Sequence, residues 1–118
     1  MAGFPNLFLL LGPNTGLGHT SVLIMIEAQI EHILGALRFM QQNQVAAIEP
    51  RQAAQDAFNA EVDRRMRGTV WTSGGCTSWY LDRSGRNAAL WPGATYEFRW
   101  RVARFRPAEY LQRARDAV

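Results

Sequence analysis

Residues 20 to 42 carry Leu23, Ile26, Ile30, Ile33, Leu37 and Met40 in alternating steps of three and four, the period of one face of an α-helix. At ~1.5 Å per residue that helix is roughly 34 Å long, about as long as a domain of this size is wide. The stretch 22 to 26 is apolar all round, so the first turns are predicted to be buried on every side, while Glu27, Glu31, His32 and Arg38 face solvent further on. A helix of this kind is built to cross something larger than 118 residues.

What precedes the helix points the same way. Leu7, Phe8, Leu9, Leu10 and Leu11 form an unbroken apolar run, which predicts a strand buried on both faces in the middle of a parallel sheet. No partner strands precede it, so the chain is expected to start partway through a fold. The run ends in the tight glycine-rich loop of residues 12 to 19, Gly-Pro-Asn-Thr-Gly-Leu-Gly-His.

After the long helix, residues 43 to 49 are expected to be a linker. Pro50 suits the first position of a second helix, which runs to about Met66 with Ala54, Phe58, Val62 and Met66 on one side and Gly68 as its stop. The character then changes, with Trp71, Gly74, Gly75, Cys76, Trp79, Tyr80, Gly85, Trp91, Pro92 and Gly93 in one short region. Residues 78–82 and 87–91 around Arg83-Ser84-Gly85-Arg86 predict a β-hairpin. Residues 96 to 102 fit both periods: alternation argues for a strand, while Tyr96 with Trp100 and Phe98 with Val102 allow a helix.

Composition limits the chemistry. A hydrophobic fraction of 47% argues against general disorder. A single cysteine and two separated histidines, His19 and His32, cannot build a metal centre. All thirteen basic residues are arginine, but they are scattered among acids, so nucleic acid is not an expected partner. The run 7–11 is too short for a signal-peptide core or a membrane span, which leaves a cytoplasmic protein as the expectation.

Two places can meet a ligand. The loop of residues 12 to 19 leads into a helix N-terminus, where free N–H groups and a partial positive charge suit a phosphate or the electron-rich edge of a flavin. The other reading is a tight turn between buried elements. The loop is not a GxGxxG turn, and no such fingerprint occurs in the chain. The second place is the region of residues 75–93, whose aromatics can wall a flat ring or simply pack on the hairpin. Cys76 reads as a small buried residue rather than a nucleophile.

The strings GFPNLFLLLGPNTGLGHTSVLIMIEAQIEHI, TVW, GCTSWYLD, GRN, LWPG and FRWRVARFRPAEY, in this order, resemble the C-terminal portion of flavin-containing and Baeyer–Villiger-type monooxygenases. The resemblance covers nearly the whole chain and implies a single α+β unit, residues 1–118, cut from a three-layer α/β FAD/NAD(P)-binding, Rossmann-like fold. Its parts would be one buried strand, a long helix, a second helix and a C-terminal β-hairpin. Residues 1–42 would complete the FAD domain, and residues 50–118 would supply the second helix, the hairpin and the closing segment.

The same resemblance implies FAD and NADPH as cofactors of the complete enzyme, which would oxygenate a ketone or soft heteroatom through a flavin peroxide. It implies FAD contacts for Gly12, Asn14, Thr15, Gly16, Gly18 and His19, and an NADP contact for the indole of Trp79. The two GxGxxG motifs, the family's histidine-containing fingerprint and its active-site arginine have no match here. The chain alone is therefore expected to be inactive and to need the N-terminal FAD- and NADP-binding domains in cis or trans, with self-association as a further expectation. The alternative is a non-catalytic interaction module that reuses the fold remnant.

Overall fold

The computed structural model describes residues 1–18, 20–73 and 78–115. Helix α1, Val22–Gln42, starts where the Ser21 hydroxyl accepts the Leu23 N–H at 3.3 Å, a side-chain cap on an otherwise free donor. It ends where the Asn43 backbone and side-chain amides both donate to the Phe39 carbonyl, at 3.0 and 2.9 Å. Gln44, with φ of 54°, turns the chain back into strand β1, Val45–Pro50. Helix α2, Gln52–Met66, the short helix α3, Val70–Ser73, and helix α4, Thr95–Val102, follow. A 3-10 turn, Pro107–Glu109, leads into strand β2, Tyr110–Ala114. β2 pairs antiparallel with β1, Pro50 opposite Tyr110, with an irregularity between Val45 and Ala47.

Several expectations need correction. Residues 7–11 form no strand here: Leu7, Leu9, Leu10 and Leu11 are 39–49% exposed. A strand exists only when another ladders with it, and among the described residues none lies beside this run. It is tethered instead by the Leu11 N–H on Gln29 Oε1, 3.0 Å, and by Asn6, which exchanges hydrogen bonds with the Ile48 backbone at 2.9 and 3.0 Å. The expected linker 43–49 is mostly β1, and Pro50 closes that strand rather than opening α2. Proline lacks a donor, and the end of a strand tolerates that.

The hairpin is reduced to a turn. Asp82 Oδ1 accepts the N–H groups of Ser84 and Arg86, at 2.8 and 3.0 Å, Gly85 takes φ of +80°, and one antiparallel bridge joins Leu81 to Asn87. Residues 87–91 then leave that partner and run parallel to the glycine-rich loop, Leu90 bridging Gly16. The open question at 96–102 resolves as helix. Phe98 points inward, and Glu97 Oε2 accepts the Ala94 N–H at 3.1 Å at the helix start.

Two apolar clusters hold these elements. One joins Met25 and Ala28 of α1 with Val62 of α2, Trp91 and Phe98; the other joins Ala36 with Val45, Ile48, Phe39, Phe105 and Tyr110. The face that α1 turns inward is thus Met25, Ala28, His32 and Ala36. Leu23, Ile30, Leu34 and Leu37 are exposed, so much of the predicted stripe is open. At 100° per residue the two faces are roughly 165° apart, which makes α1 apolar on opposite sides. The Cα radius of gyration is 16.0 Å and the longest dimension 58 Å, whereas a compact domain of this length has a radius near ~13.5 Å. Among the described residues, no helix is long and apolar enough to cross a membrane.

Candidate functional site

The glycine-rich loop is folded against residues 87–91, with Asn14 and Thr15 buried. Asn14 is 3% exposed, and its Nδ2 donates to the carbonyls of Asn87 and Leu90 at 2.8 and 3.0 Å. The Thr15 hydroxyl donates to the Gly12 carbonyl at 2.6 Å. The Asn14 and Gly16 N–H groups donate to the carbonyls of Ala88 and Ala89, both at 2.9 Å, and the Trp91 N–H returns to Gly16 at 2.8 Å. A Cβ on Gly16 would meet the Ala89 carbonyl at 2.9 Å, so Gly16 is a glycine because two backbones pass there. A Cβ on Gly18 would enter the Trp71 ring.

Any ligand of this loop therefore meets backbone rather than the side chains of Asn14 and Thr15. Among the described residues, the N–H groups of Thr15, Leu17 and Gly18 find no hydrogen-bond partner, whereas at the start of α1 the Leu23 and Ile24 N–H groups are spent on Ser21. Such free backbone donors beside a helix N-terminus suit an electron-rich group, whether a phosphate or the edge of a flat ring. Gly12 bends close to Leu9, its Cβ position 3.1 Å from that side chain. His19 lies outside the described residues, as do Gly74, Gly75 and Cys76. Beneath the loop is a cavity of about 480 Å³, bordered by Leu9, Thr15, His32, Phe58 and Phe98.

Trp79 is in a different situation, 84% exposed. It is not hairpin core. Its ring stands edge-on to Tyr80 at 5.8 Å, Tyr80 stands edge-on to Trp71 at 5.7 Å, and Trp71 covers Gly18. An aromatic row thus joins the loop to the open indole. An exposed indole offers a flat apolar face and an N–H donor together. Among the described residues, no group of His, Cys, Asp and Glu is placed to hold a metal ion.

Outside comparison decides the lineage. Over 112 residues the chain is 51% identical to a Baeyer–Villiger monooxygenase of Streptomyces coelicolor, covering 92% of this chain and 21% of that protein. A Baeyer–Villiger monooxygenase of Pseudomonas aeruginosa is 47% identical over 110 residues, with the same coverages of 92% and 21%. The chain belongs to the Baeyer–Villiger-type monooxygenases. It spans about a fifth of the length of these relatives. An "FAD-binding monooxygenase" of Aspergillus niger is 32% identical over 111 residues, 91% of this chain and 18% of that protein. The crystal structure of cyclohexanone monooxygenase from a Rhodococcus, bound to NADP⁺, shares the fold: TM-score 0.75, 24% identity, 96% of this chain and 22% of that one. No family model matches the sequence.

Within this Baeyer–Villiger-type chain, sequence reasoning singled out the loop and Trp79 but missed what joins them. Asn87 is 2% exposed and accepts the Ala89 and Leu90 N–H groups on Oδ1, at 3.1 and 3.0 Å. Among the described residues its buried Nδ2 finds no acceptor. The GRN string carried it, but nothing local in the sequence says that Asn87 meets Asn14. Trp71 was noticed without a role, and its place over Gly18 supplies one.

Proposed function

We propose that the whole protein of which this chain forms about a fifth is an FAD- and NADPH-dependent monooxygenase that oxygenates a ketone or soft heteroatom. In this reading, residues 12–19 lie along the flavin and Trp79 along NADP. When bound, FAD and NADPH together supply the electrons and the activated oxygen. This chain orients and shields. The free N–H groups of Thr15, Leu17 and Gly18 would take the flavin edge. Gly12, Asn14 and Gly16 would shape the loop, with Gly18 admitting Trp71 behind it, and the resemblance adds His19 as a flavin contact. Trp79 would wall the nicotinamide and exclude water from it.

The observation that carries this reading is the 84% exposure of Trp79. A large aromatic left outside the core, held at the end of an aromatic row that starts on the loop, is placed for contact. The open face of α1 gives it a setting. Leu23, Ile30, Leu34 and Leu37 are exposed, and burying each such side chain is worth about 1.5–3 kcal/mol. That face is suited to the N-terminal FAD- and NADP-binding domains that the resemblance implies, or to a second copy of this chain when those domains are absent.

The test has two arms. Purified alone, the 118-residue chain is expected to be colourless and to oxidise no NADPH. Joined to the remaining four-fifths of the Streptomyces coelicolor relative, it is expected to hold FAD and to oxidise NADPH with oxygenation of a ketone. Stoichiometric flavin on the chain alone after gel filtration, or a folded but flavin-free joined protein, would overturn the reading.

A further inference from the structure

We infer that Asn14 is a positioning residue that fixes Trp79 relative to the glycine-rich loop, an inference that rests on the reading of Trp79 as an NADP contact. Asn14 has φ of 56°, a left-handed conformation that asparagine adopts more readily than most side-chain-bearing residues. In that pose its Nδ2 reaches the carbonyls of Asn87 and Leu90, and its own N–H reaches the Ala88 carbonyl. Asn14 thus holds three carbonyls of the crossing segment, two through its side chain and one through its backbone. Asn87 in turn bridges Leu81, close along the chain to Trp79.

The arrangement matters because Trp79 has no core of its own. Among the described residues, an indole 84% exposed is held by its backbone and by the Tyr80–Trp71 row behind it. Trp71 in turn rests on Gly18 of the same loop. Both routes to Trp79 begin at the loop, one through a buried amide and one through stacked rings. Asn14 is 3% exposed with both side-chain hydrogens spent on carbonyls, so it acts through the position of Trp79.

The test uses the chain joined to the rest of the Streptomyces coelicolor relative and loaded with FAD. Asn14→Gly keeps the left-handed backbone and removes both side-chain bonds. Asn14→Asp keeps the shape but turns a carboxylate toward two carbonyls, and is the harsher change. If it does not fold, Asn14→Gly carries the test. Trp79→Ala is the control. The readouts are the NADP⁺ dissociation constant by calorimetry, the KM for NADPH against kcat, and flavin content.

Asn14→Gly is expected to raise the NADP⁺ dissociation constant and the KM for NADPH together, by roughly tenfold, the scale of one lost hydrogen bond. Both constants are read per bound flavin, because Asn14 also shapes the flavin-side loop, and Trp79→Ala should move them at least as far. If Asn14→Gly leaves NADP⁺ affinity unchanged while Trp79→Ala weakens it, Asn14 is only a structural amide and the inference fails. If Trp79→Ala itself leaves that affinity unchanged, the failure lies in the NADP reading on which the inference rests.

Discussion

Trp91 and Trp79 belong to the same glycine-rich, aromatic stretch, and the fold treats them in opposite ways. Trp91 is 3% exposed, stands edge-on to Phe98 at 5.3 Å, donates from Nε1 to the Ala94 carbonyl at 3.2 Å and lies under the Arg65 guanidinium at 5.4 Å. Arg65 is itself paired with Glu97 at 2.6 Å. Trp91 therefore ties α2, α4 and the loop-pairing segment into one cluster with Met25 and Val62. Trp79 ties nothing together and faces outward. Two identical side chains thus separate what builds this chain from what the chain presents, and each prediction below tests that separation.

Removing Trp91 should have the largest effect. Trp91→Ala leaves a cavity among Met25, Val62 and Phe98 and frees Arg65 from its ring, for a loss of about 3–5 kcal/mol. Thermal or urea unfolding of the 118-residue chain measures it. A loss below ~1 kcal/mol would mean that the cluster collapses around the gap, and the contrast with Trp79 would vanish.

Next in size is the open side of α1. Ile30→Glu with Leu37→Glu touches none of the buried cluster residues and puts charge on the exposed stripe. The parent chain is expected to sediment as an associated species whose mass rises with concentration, and the double variant as a monomer with little change in unfolding. A parent that stays monomeric across a wide concentration range would show that the open stripe needs no cover.

A smaller effect comes from acid. The Arg65 hydrogen bond, helped by the Ala94 N–H, holds the Glu97 carboxyl below its usual 4.5, and the Arg101 hydrogen bond does the same for Glu61. Both pairs join α2 to α4. Because the folded values are depressed, the contribution is fully present above about pH 4.5 and disappears as pH falls through the folded values. Melting temperature should therefore fall below that point, and Glu61→Gln with Glu97→Gln should flatten the fall. An unchanged acid slope in the double variant would assign it to other carboxylates, such as Asp82, which Ser84 and Arg86 also depress.

The two long helices, α1 and α2, were legible because their signals are local. Ser21 marks the start of α1, Gly68 with φ of +76° follows the end of α2, and the turn at residues 82–86 has Asp and Gly where a turn needs them. The sheet was not. Val45–Pro50 contains two alanines and a proline, reads as a linker, and becomes a strand only because Tyr110–Ala114 arrives from the far end of the chain. The run 7–11 fails the other way: its composition says strand, but no ladder partner lies beside it. For α4 both periods fit until Trp91 supplies a surface for Phe98. The loop and Trp79 could be named from sequence, but the buried Asn14–Asn87 crossing that joins them depends on a parallel approach that no spacing reveals.

The smallest effect on stability is expected at Trp79, where the separation is put to its sharpest test. Its ring touches Tyr80 edge-on and is otherwise open, so Trp79→Ala in the 118-residue chain should change unfolding by no more than ~0.5 kcal/mol, the range of an ordinary surface substitution. In the protein completed with the relative's remaining domains, the same change removes an indole N–H and a ring face from the proposed NADP side. There it should weaken NADPH use and lower the ratio of product formed to NADPH consumed, while bound flavin stays near the parent level. A packing role predicts the reverse, with melting temperature and flavin retention falling together at an unchanged ratio. That outcome would place Trp79 beside Trp91 as a residue that holds the fold, its surface covered once the relative's remaining domains are joined on.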